Sequence, residues 1–277
     1  MEPLHLVYQA YGLPEIRMEA RYAAWSALAH AGDTPLEVHV YTDAPAEFRA
    51  LDGLVELHAL SPERIREWRG PCDFAHRLKA VMIADLAARH PAAPLLYLDG
   101  DTFFVGAVGQ VRERIAPGRA VMHEREYSVP ATQTGQMKRF RKHMRPLTFA
   151  GAPIDLEGEM WNAGAIGLDP AQFPLIGRWI AFVDEVYPRY PHGLVEQYAV
   201  SLILQRSAAL SACDDVVFHY WFQKDDHDAA IRAALEAIEG MPFEDALTHV
   251  RANRIALPPP AKKRSERKGF WARLLGR

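Results

Sequence analysis

Short apolar runs and amphipathic segments alternate along roughly the first 105 residues, and this alternation constrains the fold more than any other feature. The runs typical of buried strands are 4–10, 36–43, 55–60 and the one that begins at Leu95. Helical periodicity between them predicts helices at 14–32, from Ser61 onwards and at 74–90. Strands that alternate with helices favour an α/β fold, with a mostly parallel sheet and helices on its faces.

The second half of the chain has less regular spacing. It predicts strands at 119–124, 161–169 and 214–224, and helices near 108–118, 170–187, 195–206, 228–240 and 242–253. Residues 125–160 show no clear period and predict a long irregular segment, which inside a domain is typical of a functional or mobile loop. We therefore expect a single domain over 1–257, followed by a proline-rich linker and a basic amphipathic tail at 258–277.

Composition limits the class of protein. The 277 residues are 49% hydrophobic, which is enough for one large domain with a buried core. The two cysteines, Cys72 and Cys213, are far apart and lack the spacing of a metal site, which fits a reducing compartment. The amino terminus does not resemble a signal peptide, and no apolar run is long enough to span a bilayer. We therefore expect a cytoplasmic protein.

Charge is distributed unevenly along the chain. The tail 262–277 carries a net charge of +6, which leaves −9 for the rest of a chain whose total is −3. An acidic body argues against non-specific binding to nucleic acid. Four apolar residues of the tail share one helical face, namely Phe270, Trp271, Leu274 and Leu275. The tail therefore has two equally weighted interpretations, a helix that lies peripherally on the inner face of the cell membrane and a disordered solubilising end.

Two acidic residues, Asp99 and Asp101, follow the apolar run of the fourth predicted strand. Adjacent carboxylates repel each other, so the pair needs either water or a cation. An exposed Asp-Gly turn would explain it. A divalent metal site would also explain it, because open α/β sheets bind ligands at the carboxyl ends of their strands. The motifs GxGxxG, GxxxxGK[ST], HExxH, GxSxG and CxxC are missing from the sequence.

The segment Asp99-Gly100-Asp101 at the end of an apolar strand resembles the DxD motif of the GT-A-fold glycosyltransferases. The resemblance implies that the two aspartates hold Mn²⁺ or Mg²⁺, which bridges the diphosphate of a nucleotide sugar. It also implies that Gly100 lets the backbone come close to the ligand. The ordered set of segments over residues 4–224 is most similar to glycosyltransferase family 8, the glycogenin and bacterial galactosyltransferase group.

Further segments follow in the order that this family has. The segment RLKAVMIADL places Arg77 and Lys79 before the motif strand, where the family has a basic residue near the nucleotide. The segment WNAGAIGLD resembles the family's NAGV sequence, which implies that Asn162 contacts the donor sugar and that Gly164 makes room for it.

Two late segments complete the resemblance. The segment VEQYAVSLIL resembles a helix start that contacts the sugar, with Glu196 in place of the family's Asp, followed by Gln197. The segment FHYWFQK resembles the region whose His, here His219, completes the metal site, with Lys224 as the diphosphate-binding residue. Each residue also has an ordinary structural explanation, such as a core histidine or a solvated helix start.

The nucleotide base is the part of the site that the resemblance specifies least. The family has an acidic or Asn-rich turn after the first strand, whereas this chain has VYQAYG, so Tyr8, Gln9 and Tyr11 would contact the base. Asp43, at the end of the second strand, would face the base or cap the next helix. The resemblance implies UDP as the nucleotide.

The implied activity is transfer of a hexose from a nucleotide sugar to a hydroxyl group of an acceptor, such as a cell-surface or lipid-linked glycan. Asn162, Glu196 and Gln197 would position the donor sugar. Lys79 and Lys224 would neutralise phosphate charge. The irregular segment 125–160 would form the acceptor side and close over the donor.

Two features of the acceptor side stay open. The residues Asp155, Glu157 and Glu159 would supply the base that an inverting enzyme needs, whereas the family 8 resemblance implies retention. Five basic residues would suit a phosphorylated acceptor or form a solvated helix face, namely Lys138, Arg139, Arg141, Lys142 and Arg145.

Three alternative functions remain at this stage. The haloacid-dehalogenase-like phosphatases also have an Asp pair after a strand, which would use Asp99 and Asp101 with the late pair Asp214-Asp215, but Phe103 departs from their pattern. Sugar nucleotidyltransferases would need a glycine-rich loop after the first strand, and QAYGLPE is not one. The third alternative is a non-catalytic module that binds a nucleotide sugar.

Overall fold

Strands and helices alternate in the first half of the chain, as the sequence predicts. The computed structural model describes residues 2–252 and 255, so the predicted linker and tail lie outside the described residues. The strands are β1 (Leu4–Ala10), β2 (Leu36–Thr42), β3 (Glu56–Ala59), β4 (Leu95–Leu98) and β5 (Thr102–Phe104). The helices are α1 (Pro14–Ala29), α2 (Pro62–Arg69), α3 (Ala75–Arg89) and α4 (Val108–Arg112).

The second half contains shorter strands and longer helices. The strands are β6 (Arg119–Met122), β7 (Arg125–Ser128), β8 (Thr148–Phe149), β9 (Ala152–Pro153), β10 (Glu159–Trp161), β11 (Ala165–Leu168), β12 (Ala209–Ser211) and β13 (Val217–His219). The helices are α5 (Gly135–Met144), α6 (Pro174–Val186), α7 (Leu194–Gln205), α8 (Lys224–Ile238) and α9 (Phe243–Ala252).

Local sequence signals set several of these boundaries. Pro14 is the first residue of α1, where its missing N–H costs no hydrogen bond. The Ser61 hydroxyl caps α2 by accepting a hydrogen bond from the Arg64 N–H at 3.2 Å. These ends were predictable because proline and serine act on the backbone directly and need no tertiary partner.

The central sheet of the described residues has seven strands in the order β12-β6-β11-β4-β1-β2-β3. Strand β11 runs antiparallel to its neighbours β4 and β6, and the other pairs in this sheet are parallel. The predicted α/β fold with a mostly parallel sheet and flanking helices is therefore confirmed.

Helices cover both faces of the sheet. Along β1 the side chains alternate, so that Leu6 and Tyr8 pack with α1, α8 and α9, while Val7 packs with α3, α6 and α7. The polar side chains collect at the carboxyl end of β4, between these two apolar layers. The carboxyl ends of the strands are where open α/β sheets usually bind their ligands.

The prediction for residues 125–160 was wrong, because this segment is not irregular. It contains β7 paired with β10, the hairpin of β8 and β9, and helix α5. Thr134 caps α5 by accepting a hydrogen bond from the Met137 N–H, and the helix buries Met137, Phe140 and Met144. The five basic residues predicted as an acceptor cluster therefore belong to this helix and its carboxyl end.

The late strand also differs from the prediction. The sequence predicts one strand over 214–224, but only β13 is extended, and it pairs with β5 outside the central sheet. This antiparallel pair carries His219 to the motif loop. Within the described ranges, no helix is both long and apolar enough to cross a bilayer.

Candidate active site

The loop between β4 and β5 holds the two aspartates in place through backbone hydrogen bonds. Asp99 N–H donates to the Gly164 carbonyl at 2.9 Å, and the Asp101 carbonyl accepts from Tyr220 N–H at 3.1 Å. The Thr102 hydroxyl donates to the Asp99 carbonyl at 2.7 Å. The pairing of β5 with β13 sets His219 opposite Thr102. Residues more than a hundred positions apart therefore meet at one point.

Asp99, Asp101 and His219 form a group in which the ligand atoms all lie within 4.8 Å of one another. His219 Nε2 is 3.3 Å from Asp101 Oδ1 and 3.9 Å from Asp99 Oδ2. Asp101 and His219 are buried, while the Asp99 side chain is 26% exposed. The three residues that the sequence predicts as metal ligands therefore lie together, and Asp99 is the one that solvent can reach.

The tautomer of His219 is set by Asn162. The Asn162 Oδ1 atom accepts hydrogen bonds from the Gly164 N–H at 2.9 Å and from His219 Nδ1 at 3.0 Å. His219 therefore carries its proton on Nδ1, and its Nε2 lone pair points towards the carboxylates. This buried Nε2 atom has no hydrogen-bond partner. A nitrogen lone pair that faces two carboxylates is a ligand set for a divalent cation. In metal-binding histidines the other ring nitrogen commonly donates a hydrogen bond, as Nδ1 does here, and this bond orients the ring.

Two lysines occupy the outer sides of the aspartates. Lys79 Nζ lies 3.2 Å from Asp99 Oδ1 and donates to the Ala163 carbonyl at 3.1 Å. Lys224 Nζ lies 3.1 Å from Asp101 Oδ2. Burial opposes the charge of both lysines, but the facing carboxylates outweigh it and raise the pKa of each above its ordinary value. Both lysines are therefore charged, as the sequence analysis expects of phosphate-binding groups.

Two further carboxylates lie buried beside these ion pairs. Both oxygens of Glu19 accept from Lys224 at 2.9 Å. Burial first, and then the charge of Asp101, raise the pKa of Glu19 well above its ordinary value. Burial raises the pKa of Glu196 to about 7, with Lys79 opposing and Asp99 adding to the shift. Four carboxyl groups thus lie beside two ammonium groups, and the raised pKa values of Glu19 and Glu196 show that these two are the members that take up protons most readily.

Asp101 itself is stabilised in its charged form. Burial alone would raise its pKa, but the neighbouring Lys224 ammonium outweighs burial and holds that pKa below its usual range. A carboxylate that stays ionised in a buried place can act as a metal ligand across the physiological pH range.

Asn162 and Gln197 are joined by a residue that the sequence analysis did not find. Glu126 Oε1 accepts from Asn162 Nδ2 at 3.0 Å, and Glu126 Oε2 accepts from Gln197 Nε2 at 2.7 Å. Glu126 lies on β7, in the segment predicted as irregular, and no local pattern pointed to it. Glu19 did leave a signal, because it is a carboxylate on the apolar face of α1.

The residues predicted to contact the base lie at the ends of β1 and β2, and the structure treats them differently. The ring of Tyr8 is fully buried and its hydroxyl donates to the Ala23 carbonyl at 3.1 Å, so the ring belongs to the core. Gln9 and Tyr11 are partly exposed. Asp43 accepts from the Gly12 N–H at 3.0 Å and so closes the loop after β1. Of these four residues, Gln9, Tyr11 and Asp43 have side chains that a nucleotide base could contact, whereas Tyr8 does not.

Arg77 points away from the acidic loop. Its guanidinium pairs with both oxygens of Asp184 on α6, at 2.6 and 3.0 Å, and donates to the Trp68 carbonyl at 2.7 Å. Residues two apart on a helix face different sides, so Arg77 and Lys79 could not both reach the same site. Arg77 joins α3 to α6.

Gly100 faces α1 and not an open space. A Cβ atom at Gly100 would lie 3.4 Å from the Ala20 nitrogen and the Ile16 oxygen, which is an ordinary contact distance. Gly164 is under a far stronger constraint, because a Cβ there would lie 2.3 Å from His219 Nδ1. The small residue that the site requires is therefore Gly164.

The acids proposed as an inverting base lie elsewhere. Asp155 pairs with Arg206, and the Glu159 backbone binds the side chain of Gln205, at the carboxyl end of α7. Glu196 is at the opposite end of that helix, about 14 Å away at 1.5 Å per residue. Glu157 N–H donates to Asp155 Oδ1, so this acid belongs to the same turn. These three carboxylates are not gathered at the acidic loop.

The late acidic pair is also separate from the loop. Asp215 forms an ion pair with Arg114 at 2.6 Å and its side chain is 62% exposed. Asp214 is exposed as well. Neither belongs to a metal-ligating group with Asp99 or Asp101. The arrangement that a phosphatase of the haloacid-dehalogenase type would need is therefore not assembled in the described part of the chain.

Comparison with known proteins identifies the fold and no family. No family model matches the chain, and no curated protein does either. Among solved structures, the chain is similar to the crystal structure of mouse xyloside xylosyltransferase 1 in its apo form, with 16% sequence identity and a TM-score of 0.50. The match covers 76% of this chain and 85% of that chain. The fold is therefore of the GT-A glycosyltransferase type, and membership of family 8 in particular is not supported.

Proposed function

We propose that the protein is a metal-dependent glycosyltransferase, which moves a sugar from a nucleoside diphosphate, with UDP as the first choice, to a hydroxyl group of an acceptor. The observation that carries this proposal is the Asp99, Asp101 and His219 group, in which the Nε2 atom of a buried histidine faces two carboxylates and has no hydrogen-bond partner. The group lies at the carboxyl end of a central strand in a GT-A-type fold, where such enzymes bind their donor.

The residues present fit a hard divalent cation. Two carboxylates and a neutral imidazole suit Mn²⁺ or Mg²⁺. A bound ion would stabilise the negative charge that develops on the diphosphate leaving group. Lys224, whose side chain is 27% exposed, lies at the open side of the group and would pair with the phosphates. Lys79 is buried and fixes the position of Asp99.

The donor sugar would lie beside the polar row formed by Asn162, Glu126 and Gln197. Glu126 holds the two amide side chains in fixed orientations, and one Glu196 oxygen is buried without a hydrogen-bond partner. Sugar hydroxyl groups could satisfy this oxygen, which otherwise costs free energy as an unpaired polar atom. We infer that these residues position the sugar together, because Glu126 links the side chains of Asn162 and Gln197.

The acceptor side is assigned to the segment 125–160, which supplies β7, α5 and β10. Arg141 is committed to the protein, because it donates to the Val129 and Thr132 carbonyls. The exposed residues Lys138, Arg139, Lys142 and Arg145 remain on the outer face of α5 and its end. They would suit a phosphorylated or lipid-linked acceptor.

The test is release of UDP from a panel of UDP-sugars in the presence of Mn²⁺, with and without mixed glycan acceptors. We expect UDP release that disappears with EDTA and falls about 100-fold or more in Asp101→Asn, because a metal ligand is lost. Asp215→Asn is the matched control, since this aspartate lies outside the cluster. Hydrolysis of a simple phosphomonoester, with no UDP release from any donor, would contradict the proposal and favour the phosphatase.

A further inference from the structure

A second cluster with metal-ligand chemistry lies on the α3 face of the sheet, two strands away from β4. It contains His39 on β2 with Glu56 and His58 on β3. The parallel register pairs His39 with Glu56, and His58 is two residues further along β3. Side chains two apart on a strand share a face, so all three point to the same side of the sheet. The proposed transfer reaction does not use any of these residues.

One ring nitrogen of each histidine and the two oxygens of Glu56 lie close together. His39 Nδ1 is 3.1 Å from His58 Nε2 and 3.4 Å from Glu56 Oε2. His58 Nε2 is 3.6 Å from Glu56 Oε1. Ligands about 2.1 Å from a tetrahedral Zn²⁺ lie about 3.4 Å from one another. The three distances between ligand atoms given above bracket this value, so an ion could bind with small side-chain adjustments.

A further histidine fixes the orientation of His39. His5 Nδ1 lies 2.9 Å from His39 Nε2, and the ring of His90 packs against His5 with centroids 3.8 Å apart and the ring planes tilted by 32°. When His39 Nε2 donates its proton to His5 Nδ1, the lone pair of His39 Nδ1 faces His58 and Glu56. Ligating histidines commonly have such a hydrogen bond on the ring nitrogen that does not bind the metal.

The electrostatics of the cluster favour uncharged imidazoles. Burial, followed by the neighbouring histidines, lowers the pKa of His39 to about 3, and burial also lowers the pKa of His58. Arg89 is the nearby cation, and its guanidinium pairs with Asp85 at 2.9 Å. Neutral imidazole is the form that binds a metal. Glu56 is 55% exposed, which gives an ion access from solvent.

We propose that His39, His58 and Glu56 bind Zn²⁺, with His5 as the positioning residue for His39. Two imidazoles and one carboxylate are a ligand set for zinc or a similar borderline transition metal, whereas hard cations prefer oxygen. The ion joins β3, the edge strand of the sheet, to β2. It therefore stabilises the edge of the fold and is separate from the acidic loop of the active site.

The experiment measures Zn²⁺ binding by competition with a chromophoric chelator, using the full chain. The Asp101→Asn protein is the reference, so that the active-site group contributes little. We expect one Zn²⁺ bound per chain, much more tightly than Mn²⁺, and a thermal midpoint that rises with Zn²⁺. Removing a ligand in His58→Gln or Glu56→Gln should weaken binding by about 100-fold or more, since even outer-sphere changes cost 10–100-fold. Co²⁺ should give the strong visible absorption of a tetrahedral site.

Asp52→Asn is the matched control. Asp52 is an exposed carboxylate that precedes β3, and it belongs to none of the metal-ligating groups of the described residues. It should leave Zn²⁺ affinity unchanged. The proposal is overturned if the Asp101→Asn protein binds no Zn²⁺, or if His58→Gln binds it as tightly as the reference does. Absence of Zn²⁺ binding would identify the cluster as a chain of hydrogen-bonded imidazoles only, whereas unchanged binding in His58→Gln would point to another ligand set, such as His5, His39 and His90. Both outcomes would leave the transferase proposal untouched.

Discussion

Gly164 shows how closely the candidate active site is packed around His219. A Cβ atom at this position would lie 2.3 Å from His219 Nδ1 and 2.9 Å from Asn162 Oδ1. These two atoms form the hydrogen bond that directs His219 Nε2 towards the aspartates. The absence of a side chain at Gly164 is therefore a condition for the geometry of the Asp99, Asp101 and His219 group.

Gly164→Ala should consequently displace His219. We expect a loss of about 1–3 kcal/mol in the free energy of unfolding, which is typical of overpacking, and loss of Mn²⁺-dependent UDP binding. Urea unfolding and UDP titration measure the two effects. Gly177→Ala is the matched control, because this exposed helical glycine has nothing within 4 Å of its Cβ position. That change should stabilise the protein by up to about 1 kcal/mol. Equal behaviour of the two variants would refute the role given to Gly164.

Glu196 should make stability depend on pH. Its pKa rises from 4.5 to about 7 in the folded protein, mainly through burial. The folded state therefore binds this proton more tightly than the unfolded state does, and stability falls as the pH rises from about 4.5 to about 7. Glu196→Gln should remove this fall and be more stable than the parent above pH 7, by on the order of 3 kcal/mol.

The measurement is urea unfolding of both proteins between pH 4.5 and 8, with EDTA present. Glu236→Gln, an exposed change on α8, is the control and should leave the parent profile unchanged. Parallel profiles for Glu196→Gln and the parent would show that Glu196 titrates normally.

Sequence reasoning at the residue scale identified the polar groups that carry a local signature. Asp99, Asp101 and His219 followed from the order of motifs, and the structure brings them together. Glu126 was missed because its role depends on the pairing of β7 with β10, which no local pattern encodes. The prediction that Arg77 lies near the nucleotide was wrong, because the side of α3 on which a residue lies depends on how the helix packs against α6.

At the scale of elements, helix α7 satisfies the edge of β10 that does not pair with β7. The Gln205 side chain accepts from Glu159 N–H at 2.9 Å and donates to the Glu159 carbonyl at 3.0 Å. Ser201 Oγ likewise accepts from Trp161 N–H at 3.0 Å. Side chains of one helix therefore satisfy the edge of a short strand. The first turns of the same helix carry Glu196 and Gln197, so this contact sets where these two proposed sugar-binding residues lie.

Ser201→Ala should test this contact. The Trp161 N–H would lose its partner at a partly buried site, and we expect a cost of about 1–3 kcal/mol in the free energy of unfolding. Ser207→Ala, at an exposed position after the same helix, should change stability by less than about 0.5 kcal/mol. Urea unfolding compares the two, and indistinguishable midpoints would show that the helix–strand contact contributes nothing.

Element prediction worked where apolar periods were long and failed where elements were short. The segment 125–160 was predicted as irregular because β8 and β9 have two residues each and the charges of α5 obscure its apolar face. Only three positions of α5 are buried, namely Met137, Phe140 and Met144. A face this narrow is recognisable only when the helix is seen against its neighbours.

At the scale of the whole molecule, the central sheet connects the two halves of the chain. Strand β11, from the second half, lies between β4 and β6, and β12 extends the sheet beyond β6. The candidate active site depends on this connection, because His219 and Asn162 come from the second half and the aspartates from the first. The alternation of strands and helices predicted the first half well, whereas the insertion of an antiparallel strand depends on tertiary packing.

The shared sheet predicts one cooperative unfolding transition for the described domain. Scanning calorimetry should give a calorimetric enthalpy equal to the van't Hoff enthalpy, because the β11–β4 and β13–β5 pairs join strands of the two halves directly. Rescanning checks that the transition is reversible. Two resolved transitions would instead mean that the halves are separate folding units.

The central claim is that Asp99, Asp101 and His219 hold a divalent ion that binds a nucleoside diphosphate. Calorimetric titration of UDP into the protein tests this claim most directly, with Mn²⁺, with EDTA, and with the Asp101→Asn and Asp215→Asn variants in Mn²⁺. We predict binding that requires Mn²⁺, is lost in Asp101→Asn and is retained in Asp215→Asn. Binding of UDP that is equally strong in EDTA, or no binding in Mn²⁺, would contradict it.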